Sequence, residues 1–251
     1  MSIVKTEALV LGTTEWRESS QIARVFSREL GKLSVVAKGA RRVKSRTGGG
    51  LKEFAKVDLT LFLKENAEMG TLREVEVLES HAFLGENLEK FAVASVFLEL
   101  VDRTAHPRQP SEKVYTLMSI FFENLDVTQD AISTGLQFLL RLIGRLGYTP
   151  NLSTCVGCGG REHLNWFSSR EGGVICKTCM EGKKYPLIPL KSIEREAIAQ
   201  SLSLEVEKLL PLSLNESQQK AMYHIVRGLI NHQIEVNLKS LRFFEDIAWV
   251  S

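Results

Sequence analysis

The stretch 57-VDLTLFL-63 puts Val57, Leu59, Leu61 and Leu63 at every second position. Successive side chains of a strand point to opposite faces, so this row lines one face, and Phe62 points the other way. The same alternation runs through Val4, Thr6, Ala8 and Val10. Between these segments, residues 21–28 and 33–38 read as strands, and 72–78 as a last one, with Gly31 and Gly70 where turns are expected. Trp16 falls in the first inter-strand loop. Five short strands within residues 1–80 fit a small closed or partly open barrel of the oligonucleotide-binding (OB) type.

Beyond Ser80 the period changes. Leu84, Leu88, Phe91, Val96, Phe97 and Leu100 recur at helical spacing up to Pro107 and Pro110. Ser111 is placed to cap a second helix with Val114, Leu117, Met118, Phe121 and Phe122 on its apolar side, and a third runs from about Ala131 to Leu146. Asn215 is placed to cap a helix over 218–230, and a short final helix lies near 240–247. The fold class is therefore α+β and multidomain: a barrel over 1–80, then a helical domain over 81–251 with an insert at 151–185 bounded by Pro150 and Pro186.

That insert carries all four cysteines, as CxxC-x17-CxxC: Cys155, Cys158, Cys176 and Cys179. Two knuckles of this spacing present four thiolates to one zinc ion, with Gly157, Gly159 and Gly160 allowing the bends. Four protein ligands leave no open position for water or substrate, so the expected Zn2+ is structural. Redox-active thiols would leave the second pair unexplained, and two disulfides would need an oxidising compartment. The opening MSIVKTEALVLG has no apolar signal core and no run reaches membrane-spanning length, so a cytoplasmic location without membrane attachment is expected.

The net charge of +2 conceals an asymmetry. No acidic residue lies between Glu29 and Glu53, yet Lys32, Lys38, Arg41, Arg42, Lys44, Arg46 and Lys52 do. Such a run is either a solvated loop or a site for a polyanion, and Gly48, Gly49 and Gly50 suit a loop that follows an irregular strand. On the second strand Arg24 and Arg28 flank Phe26 on one face. With Trp16 and Phe62 as stacking candidates, the expected nucleic-acid contacts are Arg24, Arg28, Lys32, Lys38, Arg41, Arg42, Lys44, Arg46, Trp16 and Phe62.

Enzyme signatures are absent from the sequence. The Gly31-Lys32 pair lacks the remainder of a phosphate-binding loop, and no GxGxxG, GxSxG or HExxH occurs. The five histidines are scattered, and His163 reads as a surface residue. A metal-dependent nuclease would need an acidic cluster that the sequence does not display. An RNA-binding or transcription-associated zinc protein remains an alternative to a DNA-binding one.

ALVLGTTEWRESSQIARVFSRELGKLSVVAKGARR (8–42) resembles the opening block of the RecO family, in its Glu18-Ser19 pair, the Gly31 turn and the Lys38-Gly39-Ala40-Arg41 motif. LKEFAKVDLTLFLKENAEMGTLREVEV (51–77), the CxxC pairs and NLKSLRFFEDI (237–247) resemble later blocks, although Trp16-Arg17 stands where that family often has glycine. The resemblance implies a non-enzymatic, nucleoid-associated mediator of DNA repair and homologous recombination. Such a mediator binds single- and double-stranded DNA and anneals complementary strands. With RecR it helps load RecA onto DNA coated by single-strand-binding protein, whose acidic C-terminal tail it also contacts.

Overall fold

The computed structural model describes residues 2–40, 51–65, 67–203 and 213–249. Five strands form a closed barrel: β1 (Ser2–Trp16), β2 (Ser20–Ser27), β3 (Gly31–Ala37), β4 (Lys56–Leu63) and β5 (Met69–Glu79), in the order β1-β2-β3-β5-β4. The β3–β5 pair is parallel, and each of the others is antiparallel. Closure removes the unpaired edges that an open sheet of this size would present.

β4 shows why the barrel forms. Val57, Leu59, Leu61 and Leu63 are buried while Lys56, Asp58, Thr60 and Phe62 are not, the strict alternation of a half-buried strand. The Leu59 row meets Ala8, Val10, Ala23, Val25, Leu33 and Val35 in the barrel core. β1 is long because it bends to serve two partners, pairing with β4 from Ser2 to Leu9 and with β2 from Ala8 to Trp16. The register shift between Val10 and Gly12 supplies the bend. This continuation corrects one expectation: Trp16 is not a loop residue but the last residue of β1, opposite Ser20.

The chain divides into two compact units, Met1–Asn87 with Leu98–Met118, and Leu88–Phe97 with Ser119–Ser251. In the first unit, residues 98–118 lie against the outer side of β2 and β3: Lys32 bridges to Pro107, and the Arg108 amide donates to the Lys32 carbonyl at 2.9 Å. Gly31 marks how close this approach is. Its φ is +68°, and a Cβ there would stand 2.3 Å from the Gln109 carbonyl oxygen.

Helices follow the barrel: α1 (Leu88–Thr104), α2 (Glu112–Val127), α3 (Ala131–Arg145), α4 (Lys177–Met180), α5 (Ser192–Ser203), α6 (Glu216–Leu229) and α7 (Ser240–Ala248). Ser111 Oγ accepts from the Val114 amide, Asp130 caps α3 through the Ser133 amide, and Asn215 with Gln218 forms a complete capping box on α6. In the second unit Phe97 stacks on Phe121 at 4.2 Å, and Phe138 packs on Phe121. Gly135 lets α3 approach α1, since a Cβ there would lie 2.0 Å from Val93 Cγ1. No described helix is long and apolar enough to cross a membrane. The cysteine segment folds around a small sheet of β6 (Trp166–Ser168), β7 (Gly173–Ile175) and β8 (Ile188–Pro189), in the order β7-β6-β8.

Candidate nucleic-acid interface and metal centre

The four cysteines converge. Cys155, Cys158, Cys176 and Cys179 bring their sulfurs within 4.8 Å of one another, and Cys158 Sγ lies 3.7 Å from Cys176 Sγ. For metal–thiolate bonds of about 2.3 Å, the edge of a sulfur tetrahedron is about 3.8 Å, whereas a disulfide would need about 2.05 Å. The cluster thus has the dimensions to hold a metal ion. The first knuckle is closed by the Gly159 amide donating to the Cys155 carbonyl at 2.7 Å and the Cys155 amide donating to the Gly160 carbonyl at 2.8 Å. Of its glycines, Gly159 has the positive φ, +77°, while Gly157 is needed for room, since a Cβ there would stand 3.1 Å from Cys179 Sγ.

The electrostatics fit a cation. Burial pushes the Cys155 thiol up, but the amides of Cys176, Gly157 and Cys158 outweigh it and bring the thiol down to about 6. Cys179 is pushed up by the neighbouring sulfurs of Cys176 and Cys158. Four sulfurs this close resist sharing further negative charge unless a cation lies among them. His163 is exposed and lies outside the cluster.

The expected nucleic-acid contacts separate into three groups. Arg24 and Lys32 already have an anionic partner inside the first unit: Asp102 accepts from Arg24 Nε at 2.8 Å through Oδ2 and pairs with Lys32 Nζ at 2.9 Å through Oδ1. Arg28 grips Glu112 with Nη2 at 2.7 Å and Nε at 3.1 and 3.2 Å. Phe26, between the two arginines on that row, is buried. Residues 98–118 supply both of the acids, Asp102 and Glu112, that engage these cations.

The second group gathers at the other end of β2. Trp16 sits opposite Ser20 on one neighbouring strand, and Gln21 sits opposite Ala37 on the other, so Trp16 and the exposed Lys38 flank the start of β2. Two inter-strand spacings put them about 10 Å apart. Arg17, at φ 56°, turns its guanidinium over the half-buried Trp16 ring at 4.2 Å. Arg41, Arg42, Lys44 and Arg46, which follow Lys38 in the chain, lie outside the described residues. Phe62 stands apart: it is half-buried and opposite Ile3, at the far end of β1 from Trp16, with Arg73 5.9 Å from its ring.

The sequence reading missed Arg17, Asp102 and Glu112. Arg17 was detectable as the cation next to Trp16. The acids were not, because each meets its partners across seventy or more residues of chain.

A family model described as Recombination protein O N terminal matches residues 1–81, and one described as Recombination protein O C terminal matches 85–242. The chain belongs to the RecO family. It is 31% identical over 248 residues to the DNA repair protein RecO of Thermoanaerobacter sp. (strain X514), covering 98% of this chain and 99% of that one. It is 32% identical over 244 residues to the DNA repair protein RecO of Caldanaerobacter subterraneus subsp. tengcongensis, covering 97% and 98%. The RecO of Alkaliphilus metalliredigens is 28% identical over 248 residues, covering 98% of this chain and all of that one. Membership in this family gives the chain a role in DNA repair, and the barrel followed by helices is the architecture on which its two matched segments fall.

Proposed function

We propose that this RecO-family protein is a non-enzymatic recombination mediator: it binds single- and double-stranded DNA and anneals complementary strands. With RecR it would help load RecA onto DNA coated by single-strand-binding protein. The observation that carries the reading is the clustering of Trp16, Arg17 and Lys38 at one end of a closed barrel, with Arg41, Arg42, Lys44 and Arg46 next in the chain. The barrel over 1–80 is the strand-holding domain. Cations there neutralise phosphates and release counterions, which supplies sequence-independent affinity, and an aromatic ring gives a base something to stack on. Two strands whose phosphates are neutralised approach each other at lower electrostatic cost, which favours annealing.

The helical domain over 81–251 carries structural Zn2+ on Cys155, Cys158, Cys176 and Cys179, and offers surface for the tail of single-strand-binding protein. The zinc supplies cross-linking of the small insert at 151–185, whose two strands, β6 and β7, are only three residues long each. These roles fit a cytoplasmic, nucleoid-associated protein.

Cys155→Ser should release the metal and destabilise the second unit, because metal binding in such sites is folding free energy. Metal analysis together with thermal unfolding checks this, and retained zinc at unchanged stability would remove the four-thiolate assignment. The overall reading is tested by fluorescence anisotropy of a labelled single strand across a salt series, then by adding its complement. Steeply salt-dependent binding with faster duplex formation supports it. Preference for RNA of the same sequence would favour an RNA-binding protein instead.

A further inference from the structure

Arg28 and Glu112 form an ion pair with the shape of a recognition contact. The guanidinium offers Nε and Nη2 to the two carboxylate oxygens at 2.7 to 3.2 Å, the planar fork by which arginine takes carboxylate and phosphate alike. Both side chains are open to solvent, 49% and 58% exposed, so the pair can part without unfolding anything. Arg28 keeps a second tether when it does, because it lies 5.9 Å from the ring of the buried Tyr115. Tyr115 is itself fixed by donating to Glu7 at 2.8 Å. The cluster of Asp102 on α1 with Arg24 of β2 and Lys32 of β3 behaves differently. Its carboxylate is 15% exposed and holds two cations at once, so it is a fixed tie between residues 98–118 and the barrel.

We propose that Glu112 is an internal competitor for phosphate at Arg28: its carboxylate occupies the place a nucleic-acid backbone phosphate would take, and so limits how many cations the barrel offers a strand. The proposal rests on the nucleic-acid-binding reading and adds a regulation to it. Anything that draws Glu112 away, a charge-neutralising change or a cationic partner surface, opens one more phosphate contact at Arg28, just past the end of β2.

The test is the salt dependence of binding to a labelled single-stranded oligonucleotide by the full chain, for Glu112→Gln, Arg28→Ala and the double variant. Each phosphate contact on a single strand contributes about 0.7 to the slope of log affinity against log salt. Glu112→Gln should steepen the slope by about 0.7, a roughly two- to threefold greater loss between about 50 and 200 mM salt. Arg28→Ala alone should leave the slope near that of the unaltered chain, because Arg28 is already engaged, and the double variant should return to it as well. A gain that survives in the double variant would mean general relief of negative charge and would overturn the proposal. So would a flattened slope in Arg28→Ala alone, a measurement that decides the matter even if Glu112→Gln folds poorly. Salt-dependent binding that ignores Glu112→Gln sinks this inference only, whereas no binding by the unaltered chain at low salt sinks the nucleic-acid reading with it.

Discussion

The outer row of β2 and the end of the barrel beside it carry the same composition and have opposite fates. Arg24, Phe26 and Arg28 form one cation–aromatic–cation set, and Trp16, Arg17 and Lys38 form another. The first is roofed by residues 98–118, with Phe26 buried and the arginines held by Asp102 and Glu112. The second keeps Arg17 and Lys38 exposed. Whether a cationic strand face can reach a polyanion is therefore set by the acids that fold over it, and not by the strand's own residues.

That comparison can be broken at its hinge. Gly31→Ala forces a Cβ against the Gln109 carbonyl at a left-handed φ, so the roof must lift or the β2–β3 turn must deform. A loss of about 2 to 4 kcal/mol is expected from overpacking and backbone strain together, read from denaturant unfolding. An unchanged midpoint would mean the roof is loosely held.

A smaller effect is expected at the fixed tie. Asp102→Asn leaves the partly buried Arg24 and Lys32 without their shared anion. Breaking a fully buried pair costs about 3 to 5 kcal/mol, and partial exposure here discounts that to about 1 to 2. The same variant should free two cations on the covered row while leaving the roof in place, so strand affinity should rise far less than stability falls. A large gain in affinity with no loss of stability would show that the row is not roofed in solution.

Much of this architecture is legible in the sequence because its signals are local. The Val57–Leu63 alternation gives β4 almost residue for residue, Asn215 and Gln218 announce the start of α6, and the cysteine spacing anticipates the cluster. Other features are invisible for equally physical reasons. β6, β7 and β8 are too short to show a period, and the π-helical turn Ile230–Ile234 extends α6 without any change in composition. β1 runs through Trp16 because its second half pairs with β2, a long-range fact that the Thr13–Trp16 sequence does not advertise. Asp102 and Glu112 look like ordinary solvated helix charges until the fold places them against Arg24, Lys32 and Arg28.

The most direct measurement is strand binding by the full chain carrying Trp16→Ala and Lys38→Glu, compared with the unaltered protein by anisotropy over a salt series, with unfolding midpoints measured alongside. The account predicts a loss of about 1 to 3 kcal/mol in affinity from the missing stacking surface and a slope shallower by about 0.7 from the missing phosphate contact, at matched stability. Unchanged affinity and slope in that variant would contradict the claim that this end of the barrel holds the strand.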